Sequence, residues 1–374
     1  MEKKIITKSN WVSNFTLIGN PVITDKTYKI DAISEKSSWR YNSMHLGIDC
    51  GEKYGRVYAD MMGGYSEERD NVIYAHGKNE DGTDDFSNRI IVDWEDRFNE
   101  DVLESVGDLC FINIGIEKTS GGNTYVKKFL SAYDAIAYVN EHLEKDMVVN
   151  VRGRLEYSMY RDNVQIRKNI NSIILSKVED PSKYVAKFTQ SILIDKESVS
   201  SDDIDKEKGV IYVNTRVLDY LKEYNGIEVR GQFPYNVQFE FEMDFNKKEQ
   251  CAKIMDKLFG VKKDVTQITF EGEFIEGGAA VTATWDDVPD DIKELVEMEV
   301  FTKEDAIAEC SSGGNTERRM VLRKPYIRLI GEDKIPELQK FENQYTEDEL
   351  ILDYLYGDEE ESNGSSDLDW LDEL

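Results

Sequence analysis

Two short stretches of this chain interleave basic and aromatic side chains, and they carry its most readable chemistry. Between Met147 and Lys177 stand six bases, Arg152, Arg154, Arg161, Arg167, Lys168 and Lys177, against two acids, with Tyr157 and Tyr160 among them. Between Thr316 and Arg328 stand Arg318, Arg319, Arg323, Lys324 and Arg328 against Glu317 alone, with Tyr326 in their midst. Cationic groups along a strand can track a phosphate backbone, and flat rings let bases stack at roughly 1–3 kcal/mol each. Arginine supplies both charge and a stacking plane. A single exposed Arg marks only the solvent side of a sheet, but two such strips in an acidic chain point to single-stranded nucleic acid. Two smaller clusters are of the same kind. Ser38-Trp39-Arg40-Tyr41 is expected in a loop, where the rings either clamp bases or plug the end of the fold. Arg230-Gly231-Gln232-Phe233-Pro234-Tyr235 is its counterpart, with a Gly-Gln-Phe-Pro run that reads as a turn.

Catalytic signatures are missing from the sequence. His45, His76 and His142 lie far apart, and none pairs with a cysteine or another histidine at metal-ligand spacing. There is no G-x-x-x-x-G-K-S/T phosphate loop, no G-x-G-x-x-G opening a helix after a strand, and no G-x-S-x-G elbow. Acids are so abundant that pairs such as Asp286-Asp287 or Asp290-Asp291 arise by chance. The expectation is therefore a non-enzymatic protein with neither metal nor cofactor, a metal-dependent nuclease being a lesser alternative.

The net charge is −29, a poor start for a polyanion binder, yet the charge is unevenly placed. Residues 342–374 hold thirteen acids and no Lys or Arg, and residues 66–108 hold fourteen acids and four bases. The rest of the chain is only mildly acidic, so a local cationic field is compatible with the total. No apolar run is long enough to span a membrane, and the N-terminus lacks the apolar region of a signal peptide. Cys50, Cys110, Cys251 and Cys310 are widely scattered and read as reduced thiols of a cytoplasmic protein.

The elements that must carry the basic strips are mostly strands. Alternating apolar and polar residues mark strands at 15–18, 28–33, 43–49, 56–61, 108–115, 148–157 and 164–175. A helix capped by Ser131 presents Ala135, Ile136, Val139 and Leu143. The second half repeats this order, with strands at 184–193, 210–213, 227–233, 237–243 and 266–274. A short helical turn is expected around Val217-Leu218-Asp219-Tyr220-Leu221, a helix over Lys248–Phe259, and a closing strand over 319–330. Each half thus runs through strands, one helix, a strand containing Gly153 or Gly272, and a basic closing strand. That is the order of the OB-fold, a small Greek-key barrel with its helix between the third and fourth strands. A glycine within a strand is where a small barrel bends or a neighbour approaches closely. The expected architecture is mainly β with short helices, as two tandem OB-like barrels. The first spans 1–180 with an acidic insertion at 66–108, and the second spans 181–341 with an insertion at 275–315. Residues 342–374 form a disordered acidic tail.

That tail ends in Asp367-Leu368-Asp369-Trp370-Leu371-Asp372-Glu373-Leu374 after the spacer Asp358–Ser366. Asp367, Asp369, Trp370, Leu371 and Leu374 suit docking to a partner, since a pure solubiliser has no use for exposed apolar anchors. OB-like cores followed by such a tail resemble the single-stranded DNA-binding proteins of bacteria and their phages. The resemblance implies barrels that hold single-stranded DNA, and a tail that recruits replication, recombination and repair proteins and competes with DNA for the basic groove. It also implies a place in the cytoplasm of a bacterial or phage-infected cell. The chain lacks the Pro-Phe ending of the bacterial type, and its end is closer to the phage type. On this reading Trp39, Arg40, Tyr41, Arg152, Arg154, Tyr157, Tyr160, Arg161, Arg167, Lys168, Arg230, Phe233, Arg318, Arg319, Arg323, Lys324, Tyr326 and Arg328 contact DNA. The competing reading is a structural or protein-interaction adaptor, such as a virion component or a DNA mimic. Basic strips beside an open groove favour DNA, and buried or paired strips favour the adaptor.

Overall fold

The structure is a computed structural model that describes residues 6–35, 37–161, 163–224, 226–276, 318–331 and 333–351, with single positions at 285, 288, 293, 296 and 303. The tail residues Asp367, Asp369, Trp370, Leu371 and Leu374, and nearly all of the 275–315 insertion, lie outside the described residues. The chain is mainly β with short helices, as its alternating patterns require.

The first half contains β1 (Ser13–Val22), β2 (Tyr28–Ile33), β3 (Trp39–Asp49) and β4 (Arg56–Ser66). An insertion follows: the hairpin β5 (Val72–Lys78) and β6 (Asp84–Asp93), the helix α1 (Glu100–Ser105), and the strands β7 (Ile112–Lys118) and β8 (Thr124–Phe129). Helix α2 (Ala132–His142) leads to β9 (Val149–Tyr160) and β10 (Asn163–Leu175). Five of these strands pair in a closed circuit. β1 pairs antiparallel with β3, β3 with β4, and β4 runs parallel to β10 at Asp60 and Asn169. β10 pairs with β9, and β9 returns to β1.

The second half repeats the circuit with β11 (Val185–Ile194), β13 (Val210–Tyr224), β14 (Ile227–Glu242), helix α3 (Lys248–Phe259), β15 (Val265–Glu276) and β16 (Arg318–Pro325). β11 pairs with β13, β13 with β14, β14 runs parallel to β16, β16 pairs with β15, and β15 returns to β11. The short β12 (Ile204–Asp205) edges β13. β17 (Ile327–Ile330) and β18 (Ile335–Leu338) form a hairpin, β19 (Lys340–Tyr345) adds to β15, and α4 (Glu347–Leu350) closes the described chain.

The two strand glycines explain the matching circuits. Gly153 stands opposite Phe15 of β1, and Gly272 opposite Phe188 of β11. A Cβ on Gly153 would lie 1.9 Å from the Asn169 carbonyl oxygen and 2.7 Å from the Phe15 ring, and one on Gly272 would lie 2.1 Å from the Phe188 ring. Each glycine therefore makes room for a buried phenylalanine, whose burial stabilises the core by roughly 1.5–3 kcal/mol. The partner strand carries a one-residue irregularity at the same place in both circuits, at Ile170/Ser172 and at Leu322/Lys324. Such a bulge bends a strand more sharply than regular pairing allows. Phe15 and Phe188 are also direct partners where β1 pairs with β11, so the two circuits meet about that contact in one continuous sheet.

Four local expectations are corrected. Residues 342–351 are not disordered tail: β19 runs on to Tyr345 paired with β15, and Glu347 of α4 is held by Arg216. Val217–Leu221 is strand, not helix: its apolar spacing fits a helical turn, but β13 pairs with β14 from Val210 to Tyr224 and tertiary pairing overrides the local pattern. Gly231–Pro234 is not a turn and runs inside β14. Trp39-Arg40-Tyr41 is not in a loop and opens β3, paired with Tyr65 and its neighbours on β4.

Candidate functional site

Register sorts the basic residues of β9 and β10 onto two faces. Arg152, Arg154, Glu156, Ser158 and Tyr160 alternate with the inward Val151, Leu155 and Tyr157. Across the ladder Arg167 faces Glu156, Gln165 faces Ser158 and Asn163 faces Tyr160. One outer face of the hairpin thus collects Arg152, Arg154, Arg167 and Tyr160, all exposed, with the Arg161 guanidinium 5.2 Å from the Tyr160 ring centre at its tip. Arg152 Nε donates to Asn150 Oδ1 at 3.3 Å. Arg154 and Arg167 have no ion-pair partner among the described residues. Glu156 is the acid within this face, and it accepts a hydrogen bond from Asn169 Nδ2 at 2.8 Å. The row continues across the sheet from Arg152 to Thr16 and then to exposed Lys187 of β11. Lys187 was not anticipated from sequence because no other base stands on its strand, and only the β1–β11 pairing brings it to Arg152.

The remaining candidates are placed otherwise. Tyr157 is buried at 3% exposure, with its hydroxyl donating to Gln190 Oε1 at 3.0 Å, so its ring is closed to a base. Phe233 is buried at 6% and packs against Tyr224 and Tyr235. Lys168 is committed to Glu276 at 2.6 Å within the seam between the circuits. Arg40 is held between Asp31 at 2.6 Å and Glu67 at 2.9 Å, beside the half-buried stacked pair Trp39 and Tyr41. Arg230 is paired with Glu228.

Three of the five bases of the second strip are engaged by carboxylates. Arg319 Nε donates to Glu240 at 2.7 Å, Arg323 Nε donates to Glu273 at 2.7 Å and its Nη1 to Glu242, and Lys324 lies 3.0 Å from Glu271. Glu273 also accepts from Lys53 at 2.9 Å and from the Tyr54 hydroxyl at 2.8 Å. Burial works to raise the Glu273 carboxyl, but the hydrogen bonds from Lys53, Tyr54 and Arg323 outweigh it and hold the group below its usual range. Arg318 and Arg328 are exposed, and Tyr326 is half-buried. Sequence alone cannot reveal this pairing, because the carboxylates come from β14 and β15, distant along the chain.

The inward side of the same hairpin borders a cleft of about 700 Å³ between Met159, Val164 and Ile166 on one side and Arg216, Phe233 and Val237 on the other. Arg216 bridges Asp195 and Glu347, both at 2.8 Å, which seats α4 at the cleft's edge. A second cavity of about 580 Å³ shares Val164, Ile166 and Gln238 with it and reaches Arg318, Arg319 and His45.

No match to a curated protein was found. Among the solved structures similar to the chain are two of the single-stranded DNA-binding protein from Thermus aquaticus. The wild type is 10% identical at a TM-score of 0.32, with 72% of this chain and 87% of that chain covered. A deletion mutant is 10% identical at a TM-score of 0.31, with 71% and 88% covered. Residues 75–275, more than half of the chain, match the YorF family, and the chain belongs to that family.

Proposed function

We propose that the chain binds single-stranded DNA without strong sequence preference through the outer face of β9 and β10. The observation that carries this reading is the exposed row Arg152, Arg154 and Arg167, ending at Tyr160 and Arg161 on the turn between the two strands. The closed circuits β1–β3–β4–β10–β9 and β11–β13–β14–β16–β15 support reading the two halves, 1–180 and 181–341, as OB-like barrels. In such barrels the turn between the fourth and fifth strands is a binding loop; Arg161 opens that turn, and Tyr160 ends the strand leading into it. Charge along the row and a ring at its end match what a single strand offers, a phosphate at every step and a face on every base. In this reading the chain serves a replication or recombination system, and Trp370, Leu371 and Leu374 recruit a partner protein.

The test is a titration of labelled oligothymidine against the full chain and a chain lacking residues 358–374, across a range of salt. Binding that weakens steeply with salt, and that survives or tightens without the tail, is expected. No binding of any oligonucleotide at low salt by either chain overturns the reading. A second reading, a protein-interaction adaptor, is favoured by one observation: Arg319, Arg323 and Lys324 are all engaged by carboxylates. On that reading the first row also binds an acidic protein surface, and oligothymidine does not compete for it.

A further inference from the structure

The hairpin of β5 and β6 stands apart from the main sheet and leaves one of its edges open. β5 meets Val106, just after α1, in a single bridge at Gly77, whereas no described residue pairs with the outer edge of β6. The Trp94 N–H donates to the Asn71 carbonyl oxygen at 3.0 Å, one step beyond the pair Val72 and Asp93. Main-chain groups alternate between the two sides of a strand, so Val92 and Ile90 also turn theirs toward β5. The N–H and C=O groups of Arg89, Ile91 and Asp93 therefore point outward from the hairpin. Natural edge strands are blunted by a bulge, a proline or a lysine. Here the irregularity lies at the other end, between His76 and Gly77, and residues 89–93 contain neither proline nor lysine.

The side chains of this stretch are as open as its backbone. Ile91 is 64% exposed and stands directly opposite Tyr74, itself 79% exposed, on the outer face of the hairpin. Arg89 and Asp93 flank Ile91 on that face, both exposed and without an ion-pair partner among the described residues. The opposite face is already occupied, since Val92 is buried with Val106, Phe111 and Leu130, and Ile73, Ala75 and Ile90 pack against them. What remains open is thus one face and one edge, with an apolar centre between a base and an acid.

We propose that a second copy of the chain occupies this edge, and that the two β6 strands pair antiparallel across a twofold axis at Ile91. The outward groups restrict Arg89, Ile91 and Asp93 to pairing with residues of the same alternation, and charge then selects the register. An axis at Arg89 would set that residue against its own copy, and an axis at Ile90 or Val92 would set a charged side chain against Ile91. An axis at Ile91 sets each Arg89 against Asp93 of the other copy and the two Ile91 side chains against each other. Each of these pairs exchanges both of its main-chain hydrogen bonds. Tyr74 and Ile91 of the two copies then form one apolar strip across the axis, a self-complementary patch of the kind a twofold dimer requires. Pairing stops at Asp93, because Trp94–Asp96 forms a turn of 3-10 helix. So short a seam falls below the roughly 1,200–2,000 Å² of stable interfaces, and the dimer is accordingly reversible. The surface is separate from the outer face of β9 and β10, so the dimer stands or falls independently of DNA binding.

The experiment is sedimentation velocity on the full chain from about 2 to about 200 μM. Salt is held at about 0.15 M, where the other acids of the insertion are screened beyond about 8 Å. A reversible shift from monomer to dimer is expected within that range. Arg89→Asp and Asp93→Arg should each raise the dissociation constant about tenfold or more, since each sets like charges together at both ends of the seam. Mixing the two variants should restore association, because the acids of one copy then meet the bases of the other at both ends. That rescue also shows that both variants fold. A chain that stays monomeric at the highest concentration overturns the proposal. So does a dimer that neither substitution weakens, or a mixture that associates no better than its components.

Discussion

The two basic strips look alike in sequence and differ in structure, which separates cations left without a carboxylate partner from cations that hold the fold. The informative perturbations are Arg152→Ala/Arg154→Ala/Arg167→Ala against Arg319→Ala/Arg323→Ala. On a single strand each phosphate contact contributes about 0.7 to the slope of log K against log salt. Three removed contacts should flatten that slope by about 2 and weaken binding by about a hundredfold near 0.1 M salt, taking the electrostatic contribution to vanish near 1 M. The second pair should change the slope by less than about 0.5, since Arg319 and Arg323 already spend their charge on Glu240, Glu242 and Glu273. It should instead lower unfolding stability by roughly 2–4 kcal/mol, because partly buried carboxylates lose their partners. Fluorescence anisotropy of labelled oligothymidine across a salt series reads the first effect, and urea unfolding reads the second. Equal flattening by the two variants, or an unchanged slope in the triple variant, refutes the assignment of the row.

Other outcomes follow from single side chains. Tyr160→Ala should weaken oligothymidine binding by roughly 1–3 kcal/mol, while Tyr157→Phe should leave binding unchanged and lose only the bond to Gln190, about 1 kcal/mol of stability; anisotropy and urea melts on both variants decide. Glu273 has a folded-state pKa below its ordinary 4.5, so its contribution is full above that value and disappears as pH falls through it to the lower folded value. Glu273→Gln should therefore flatten the stability profile in that acid window, and an unchanged profile counts against the Lys53, Tyr54 and Arg323 contacts. Gly153→Ala and Gly272→Ala should each destabilise by about 1–3 kcal/mol or more through overpacking. Phe188→Leu should recover part of the Gly272→Ala loss, because the obstruction there is a ring, whereas Phe15→Leu should not rescue Gly153→Ala, where a backbone carbonyl stands in the way. A double-mutant cycle by urea unfolding distinguishes them.

What the sequence made readable is what local pattern determines. Helix Lys248–Phe259 agrees residue for residue, and Ser131 caps α2 by accepting the Tyr133 N–H, because periodicity and a capping hydroxyl are local properties. Gly153 and Gly272 stand out for the same reason, each interrupting an alternating strand. What stayed hidden depends on pairing across the chain. Tyr157 and Tyr160 are both tyrosines on one strand, but an odd separation puts one inside and the other out, and the inward side is set by β1 and the seam. Lys168 and Arg167 are adjacent and separate in the same way.

The repeat also explains how a chain of net charge −29 can present a cationic face. With Gly153 and Gly272 superposed, Arg152 and Arg154 of β9 correspond to Glu271 and Glu273 of β15. The second circuit has acids where the first has bases, so the bases of its closing strand, Arg323 and Lys324, turn back onto them. Acids of the second circuit also draw in cations of the first: Lys53 goes to Glu273, Lys168 to Glu276 and Lys8 to Asp219. A cation stays available only where no carboxylate of the other circuit reaches it, and on β9 and β10 those positions are Arg152, Arg154 and Arg167. Attraction for a polyanion depends on this local remainder, since exposed charges more than about 10 Å away are screened at ordinary salt. Placing Arg at both 271 and 273 would accordingly do more than add charge: it would strip Lys324 and Lys53 of their carboxylates, leave Arg323 with Glu242 alone, and set five cations close together at the seam. The two circuits are thus unequal by construction, one contributing the exposed face and the other the carboxylates that fix the pair.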